Sequence, residues 1–251
     1  MAMDAPQRRE NSYDLTGRVA LVAGASGGLG QAVCLALLAS HARVFAASER
    51  AQSNLQNSLR ARAGAASDRL LFVETDARDE VRVSATVAEI AQRAGRLDIL
   101  VNLIGGFAAG SPITELDTQT FDQMLELNLR PTFLLSKYAA REMARNHWGR
   151  IVNTSSRAAV IGRRNAAAYA VAKGAVVTLT EAQAEETREQ GITVNAILPS
   201  IIDTPTNRAA MPTAAFDRWP KPEEIARVVA FLVSDDAALI SGASIPVYGR
   251  A

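Results

Sequence analysis

Three residues between positions 156 and 173 have the types and spacing expected of a proton-transfer site: Ser156, Tyr169 and Lys173. All three lie in the segment SSRAAVIGRRNAAAYAVAK, residues 155–173. The alanine-rich sequence around the tyrosine and the lysine predicts a helix. Residues four positions apart on a helix share one face, so the ammonium would stand beside the phenol. The alternative is an ordinary surface pair with no chemical role.

The tyrosine and lysine suit the transfer of a proton to or from a carbonyl oxygen. Free tyrosine has a pKa near 10, so only about one in a thousand is ionised at pH 7. Lowering that pKa by about three units requires roughly 4 kcal/mol of preferential stabilisation of the phenolate. We expect Lys173 to supply much of it. Ser156 ends a predicted strand, where its hydroxyl would orient a substrate oxygen toward Tyr169.

A glycine-rich turn, AGASGGLG at residues 23–30, joins the first predicted strand to the first predicted helix. Its key glycines are Gly24, Gly28 and Gly30. Glycine permits positive φ and a close approach of the backbone to a ligand. The following helix offers free N–H groups and the positive end of its dipole to a pyrophosphate. This placement predicts dinucleotide binding, with a purely structural turn as the alternative.

Continuous apolar strands alternate with helical patterns along the chain. The predicted strands are RVALVAG, RVFAAS, LLFVET, LDILVNLI, GRIVNTSS, ITVNAILPS and ASIPVYG. Such strands, separated by helices, predict a parallel sheet covered on both faces. We therefore expect an α/β protein with one Rossmann-like, doubly wound domain over residues 15–251. Two long helices are expected over 118–146 and 166–190, the first accommodating Pro131 by a kink.

The stretch DTPTNRAAMPTAAFDRW, residues 203–219, departs from the alternation of strands and helices. It follows the sixth strand and so begins at the edge of the sheet where ligands bind. Its apolar residues Met211, Phe216 and Trp219 could exclude water from a reaction. We expect a mobile lid here, with a fixed contact between subunits as the alternative.

Composition limits the possible partners of the chain. Its 251 residues carry a formal charge of +1, which gives no overall bias toward nucleic acid or anionic membranes. Arg141, Arg145 and Arg150 are interpreted as a solvated helix face. Cys34 is the only cysteine, so no intrachain disulfide forms. Residues 1–14 read as a flexible polar tail with no signal-peptide core, and no apolar run spans a bilayer. A cytoplasmic protein without membrane or nucleic-acid partners is expected.

The glycine spacing combined with Tyr-x-x-x-Lys resembles the short-chain dehydrogenase/reductase family over about residues 15–250. The resemblance implies an NAD(P)(H)-dependent oxidoreductase that transfers a hydride between nicotinamide and a carbonyl or alcohol, such as a 3-oxoacyl group or small ketone. It implies Tyr169 as acid/base and Lys173 as its electrostatic partner and ribose ligand. It further implies that Ser156 orients the substrate and that Asn128 supports a proton-relay water. No metal is expected at the site.

The resemblance also implies which residues surround the cofactor and the substrate. Asp76 would contact the adenine, and the segment that includes Thr204 would hold the nicotinamide end. The expected cofactor residues are Gly24, Ser26, Gly28, Leu29, Gly30, Ser48, Arg50, Asp76, Ala77, Asn102, Gly105, Tyr169, Lys173, Pro199, Ile202 and Thr204. The expected substrate residues are Phe107, Ser156, Met211 and Phe216.

Some positions depart from the family pattern. NLIGGF follows the fourth strand, where Asn-Asn-Ala-Gly is usual, and retains only Asn102 and Gly105. The stretches 104–110 and 203–219 resemble dihydropteridine reductase, which makes pterin reduction an alternative. Its relatives typically lack the catalytic serine, whereas this chain has Ser156. A second alternative is a regulatory protein that binds a nucleotide without turnover, although intact catalytic residues favour an enzyme.

The end of the second predicted strand, AASER, bears on the choice of cofactor. An acidic residue at the strand tip would bind the ribose 2′-OH of NAD. Ser48 at that position leaves space for a 2′-phosphate, with which Arg50 could pair. Glu49 argues against a phosphate, and Gly27 stands where NADP-dependent relatives often have a basic residue. We favour NADP(H), with NAD(H) as the alternative.

The two long predicted helices also bear on assembly. Their apolar and alanine-rich faces are larger than one face of a sheet can cover. In the family the equivalent helices pack against their copies in a neighbouring subunit. We therefore expect a homo-oligomer, specifically a tetramer.

Overall fold

A computed structural model describes residues 13–50 and 52–250 of the chain. The expected tail over residues 1–14 lies outside these residues except for its last two. Of those two, Tyr13 packs against the domain, and Asp14 forms a hydrogen bond with the first residues of the domain. The ring of Tyr13 lies 5.8 Å from that of Phe231, and Asp14 accepts a 2.9 Å hydrogen bond from the Thr16 N–H.

A single seven-stranded sheet forms the centre of the domain. All its pairings are parallel, and the strand order is β3-β2-β1-β4-β5-β6-β7. Its strands are β1 Val19–Ala23, β2 Arg43–Ser48, β3 Leu70–Glu74, β4 Ile99–Asn102, β5 Gly149–Thr154, β6 Ile192–Pro199 and β7 Ser244–Val247. The predicted fold class is confirmed, because uninterrupted burial of strands such as β1 and β6 requires helices on both faces.

Eight α-helices accompany the strands in the described part of the chain. They are α1 Gly28–Ala39, α2 Ser53–Ala63, α3 Glu80–Ala94, α4 Thr118–Asn128, α5 Arg130–Ala144, α6 Ala167–Thr187, α7 Pro205–Ala210 and α8 Pro222–Leu232. Successive residues of β1 face opposite sides of the sheet. Ala20 and Val22 belong to the core that includes α1 and α8, whereas Leu21 and Ala23 belong to the core that includes α3 and α5.

The single helix predicted over 118–146 is divided in the structure at one residue, Leu129, whose backbone itself stays helical. α4 ends at Asn128 and α5 begins at Arg130, with Leu129 between them. Pro131 lies in the first turn of α5, where its missing N–H has no intrahelical partner to lose. The proline therefore starts a helix instead of bending one. The second long helix ends at Thr187 and continues as a short 3₁₀ turn over Arg188–Gln190.

The strand order places the carboxyl ends of several strands at one edge of the sheet. The chain runs outward from β1 to β3 on one side and then crosses to β4 on the other side. Asn102 of β4 aligns with Ala23 of β1 and with Asn153 of β5. The loops after these strands consequently open into one crevice, which is where open α/β sheets bind ligands. Within residues 13–50 and 52–250, no helix combines the length and apolarity needed to cross a membrane.

Candidate active site

Ser156 and Tyr169 meet although thirteen positions separate them in sequence. Ser156 follows β5 and caps a short turn by accepting a 3.2 Å hydrogen bond from the Ala158 N–H. Tyr169 lies in the first turn of α6, and its phenol is hydrogen-bonded to the Ser156 side chain. Two separate elements, the end of β5 and the start of α6, thus present a hydroxyl and a phenol to one point.

Burial raises the pKa of the Tyr169 phenol, while the hydrogen bond with Ser156 and the charge of Arg163 act in the opposite direction. The predicted lowering of this pKa by Lys173 is therefore wrong for the ligand-free protein. Loss of solvent around the phenol outweighs the groups that favour the phenolate. A phenol with a raised pKa stays protonated at neutral pH, which is the form needed to give a proton to a carbonyl oxygen.

Lys173 is almost completely buried, with 4% of its surface exposed. Its Nζ donates a 2.9 Å hydrogen bond to the carbonyl oxygen of Thr154, the last residue of β5. Its own carbonyl accepts a 2.7 Å hydrogen bond from the Ser155 hydroxyl, which joins α6 to the strand end. Desolvation lowers the pKa of Lys173 to about 8. In the described chain the ammonium has no other hydrogen-bond partner, so it retains donors for a ligand.

Asn128 holds the loop that follows β4. This fully buried residue accepts a 3.2 Å hydrogen bond from the Gly106 N–H and donates a 3.1 Å bond to the Gly106 carbonyl. A Cβ on Gly105 would lie 2.6 Å from Asn128 Oδ1 and 2.8 Å from Lys173 Nζ. Only glycine fits there, and the loop backbone consequently passes directly over Lys173. Asn102 fixes the same loop by accepting a 3.1 Å bond from the Ile104 N–H.

The glycine-rich loop fits a pyrophosphate. Gly24 has a φ of +86°, and a Cβ on Gly30 would lie 2.2 Å from the Gly24 carbonyl oxygen. No side chain caps the start of α1. Among the described residues, nothing accepts a hydrogen bond from the backbone N–H groups of residues 28–30. These free donors and the narrow backbone packing form a cradle for phosphate oxygens, since the helix dipole also favours negative charge there.

An ion-pair network that the sequence did not reveal lies on the side of the crevice where the adenosine is expected. Arg78 donates two 2.9 Å hydrogen bonds to the carboxylate of Asp76 and a 3.3 Å bond to Glu49. Arg78 also holds the pKa of Asp76 below its usual value. Ser48, at the end of β2, donates a 2.9 Å hydrogen bond to the Arg50 carbonyl. In the sequence, the only sign of this network was the spacing of Asp76 and Arg78, two positions apart.

The segment after β6 contacts the phosphate loop at its base. Pro199 ends β6, and Thr204 caps α7 by accepting a 3.2 Å bond from the Asn207 N–H. A Cβ on Gly28 would lie 3.1 Å from Cγ2 of Thr204. The Asn207 side chain also donates a 2.8 Å bond to the Ile202 carbonyl. The structure thus brings the expected nicotinamide-end residues beside the expected pyrophosphate site.

The expected substrate residues occupy two different places. The Phe107 ring meets the Tyr169 ring edge to face at 4.9 Å, and 55% of Phe107 is exposed. Phe216 packs at 5.0 Å against the buried ring of Trp219. Met211 directly follows α7. Phe107 and Ser156 therefore contact Tyr169, whereas Met211 and Phe216 belong to the covering segment.

Comparison with known proteins gives the family of this chain. The sequence model of the short chain dehydrogenase family matches residues 18–215. The chain is 36% identical to the 3-oxoacyl-[acyl-carrier-protein] reductase FabG of Pseudomonas aeruginosa, over 94% of this chain and 97% of that protein. It is 35% identical to cis-4-hydroxycyclohexanecarboxylate dehydrogenase of Sinomonas cyclohexanicum, over 92% and 95%.

Solved structures agree with this assignment. The structure of ElxO with NADP bound superimposes with a TM-score of 0.85 at 27% sequence identity, covering 92% of this chain and 97% of that one. The glycine loop, the buried lysine and the phenol occupy one crevice within this shared fold. The chain therefore belongs to the short-chain dehydrogenase/reductase family and is an NAD(P)-dependent oxidoreductase.

Proposed function

We propose that this protein reduces the carbonyl group of a small, partly apolar substrate, and that Tyr169 donates the proton. The observation that carries the proposal is the position of the Tyr169 phenol at the start of α6, next to Ser156 at the end of β5 and edge to face with the exposed ring of Phe107. The named activities of the relatives point the same way, since one reduces a 3-oxoacyl group and the other oxidises a ring alcohol.

Each catalytic side chain then has a distinct task. A bound nicotinamide supplies the hydride. The Ser156 hydroxyl holds the substrate oxygen within reach of Tyr169, which protonates that oxygen as charge develops on it. Lys173 offers its free donors to the cofactor ribose, and its charge stabilises the phenolate left after proton transfer. Asn128 keeps the loop at Gly105 and Gly106 in place above the lysine.

Steady-state turnover of the purified protein tests this proposal. We expect oxidation of NADPH in the presence of a cyclic ketone or a 3-oxoacyl thioester, and little with a quinonoid dihydropterin. We expect the carbonyl compounds to be turned over faster than the pterin because Ser156 is present. Faster turnover of the pterin than of every ketone would favour pterin reduction instead. Stoichiometric cofactor binding without turnover of any of the three substrates would refute carbonyl reduction.

We infer that NADP(H) is the preferred cofactor. Ser48 is small, and the exposed Arg50 brings a positive charge close to the end of β2. Glu49, the residue that argued against a 2′-phosphate, is partly neutralised by its 3.3 Å ion pair with Arg78. The ratio of kcat/KM for NADPH and NADH measures the preference. A ratio below one would reverse the inference.

We also propose a homotetramer. Phe133 on α5 and Val171 on α6 expose 47% and 50% of their surfaces, although both are large apolar residues on the helices predicted to pack between subunits. Burying such residues in an interface is favourable. Light scattering at micromolar concentration is expected to give about four times the chain mass of 26.7 kDa. The mass of a single chain would contradict any assembly.

We propose that residues 203–219 form a lid over the bound substrate. Thr204 anchors one end beside Gly28, and Trp219 is buried at the other, while the residues between them are largely exposed. Hydrogen exchange should be fast in the free protein and slower with cofactor and a substrate analogue. Equal protection in both states, at a concentration that keeps the oligomer intact, would instead identify a fixed subunit contact.

A further inference from the structure

We propose that Arg163 binds a carboxylate of the substrate, so that the preferred substrates are carbonyl compounds with a carboxylate several bonds away from the reacting carbon. The proposal rests on the carbonyl reduction proposed above. It adds a second recognition point at the mouth of the same site. No motif of the sequence analysis assigned a role to Arg163.

Arg163 is linked to the reacting phenol through one aromatic ring. Its guanidinium carbon lies 5.3 Å from the centre of the Phe107 ring. That ring lies 4.9 Å from the Tyr169 ring and almost perpendicular to it, at 84°. The two distances limit the separation between the guanidinium and the Tyr169 ring to roughly 10 Å, close enough for its charge to act on the phenol.

The backbone holds Arg163 in this place. The Asn165 carbonyl accepts a 2.8 Å hydrogen bond from the Gly110 N–H, which ties the loop before α6 to the loop after β4. The Arg163 carbonyl accepts a 3.3 Å bond from the Ala166 N–H. Asn165 has a φ of +60°, the left-handed conformation that asparagine tolerates better than most residues. Arg163 and Phe107 are therefore carried by two loops that brace each other.

The guanidinium retains its hydrogen-bonding capacity. Within residues 13–50 and 52–250, Arg163 makes no ion pair or hydrogen bond through its side chain, and its guanidinium lies over the Phe107 ring. The arginines of the covering segment and the C-terminus differ, because Arg208 pairs with Asp203 and Arg250 with Asp217. A guanidinium attracted to the face of a ring spends none of its N–H groups on a hydrogen bond, so they can match the two oxygens of a carboxylate.

Three recognition points define the shape of the preferred substrate: the pair Tyr169 and Ser156, the ring of Phe107, and the guanidinium of Arg163. A carbonyl oxygen would lie at Tyr169 and Ser156, an apolar body would cover the exposed ring of Phe107, and a carboxylate would reach Arg163. Because a planar carboxylate accepts two parallel hydrogen bonds from arginine, we expect lysine at this position to restore only part of the effect.

A matched pair of substrates tests the proposal: 4-oxocyclohexanecarboxylate and its carboxamide, which differ in charge but hardly in shape. In the Arg163→Gln variant we expect kcat/KM for the carboxylate to fall by about 10- to 100-fold and that for the carboxamide to change by less than about threefold. Arg163→Lys should be intermediate for the carboxylate. The neighbouring Arg164→Gln removes the same charge from the adjacent position and should leave both substrates unaffected.

Two results would overturn the carboxylate site. Equal losses for both substrates would mean that Arg163 only supports Phe107, and unchanged kinetics for both would mean that Arg163 does not contact the substrate. If neither ketone is reduced although NADPH binds, carbonyl reduction itself is wrong. Calorimetric titration of the two compounds into the NADPH complex then tests the carboxylate site independently of carbonyl reduction. Binding of the carboxylate that disappears in Arg163→Gln supports the site, and absence of such binding refutes it.

Discussion

Replacing Tyr169 with phenylalanine is expected to lower kcat/KM for carbonyl reduction by at least about 10²- to 10⁴-fold. The variant loses the hydroxyl proposed to donate the proton but keeps the ring that packs edge to face with Phe107. The dissociation constant of NADPH, measured by its fluorescence, should change by less than about threefold. The ring keeps the helix intact, and the glycine loop, where we expect the pyrophosphate to bind, is untouched.

The control for this experiment is Tyr138→Phe. Tyr138 also uses its hydroxyl in a hydrogen bond, a 3.0 Å contact with Glu80, but it lies on α5 away from the crevice. It should retain full activity, which would show that losing a tyrosine hydroxyl is not harmful in itself. Tyr169→Phe activity within about threefold of the unmodified protein would exclude the phenol as proton donor.

The fold was predictable because its signals are local and repeated. Each strand is a short apolar run between helical patterns, and the placement of the glycine turn after the first run identified the nucleotide-binding end. The break at Leu129 was missed because Pro131 is compatible both with a kinked helix and with a new helix start. Only the packing of α4 and α5 on different neighbours separates the two possibilities.

The sequence predicted which side chains lie close together at the candidate site better than it predicted their energetics. Spacing on one helix placed Tyr169 and Lys173 on a common face, but the sequence does not contain the desolvation that raises the pKa of the tyrosine. The pairing of Arg78 with Glu49 and the cation–π contact of Arg163 with Phe107 join residues that are far apart in the chain. Contacts of this kind depend on how loops approach one another at the sheet edge, for which the sequence carries no periodic signal.

The buried lysine links function to stability with a definite sign. Burial lowers the pKa of Lys173 from 10.5 to about 8, so the unfolded chain binds a proton more tightly than the folded protein does. Stability is therefore lost as the pH falls from about 10.5 to about 8, and the whole loss is present below pH 8. The shift corresponds to a destabilisation of the free protein of about 3 kcal/mol at pH 7.

We therefore expect Lys173→Met to stabilise the free protein while it abolishes turnover. Removing the buried charge gains about 3 kcal/mol at pH 7, and losing the hydrogen bond to the Thr154 carbonyl costs about 1 kcal/mol, which leaves a net gain of about 2 kcal/mol. The gain should shrink as the pH rises from 8 to 10.5, where the native lysine is no longer penalised for its charge. NADPH should bind at least about tenfold more weakly, because the ribose loses its ammonium partner.

Urea unfolding of the free protein between pH 7 and pH 10.5, together with NADPH titration, measures both effects in one variant. The exposed Lys221 provides the matched control, since Lys221→Met removes a solvated ammonium and should leave activity and affinity unchanged and alter the free energy of unfolding by less than about 1 kcal/mol. A Lys173→Met protein that is less stable than the original at pH 7 would contradict the burial argument. Unchanged NADPH affinity would instead contradict the ribose contact, because the stability gain arises in the free protein and does not depend on the cofactor.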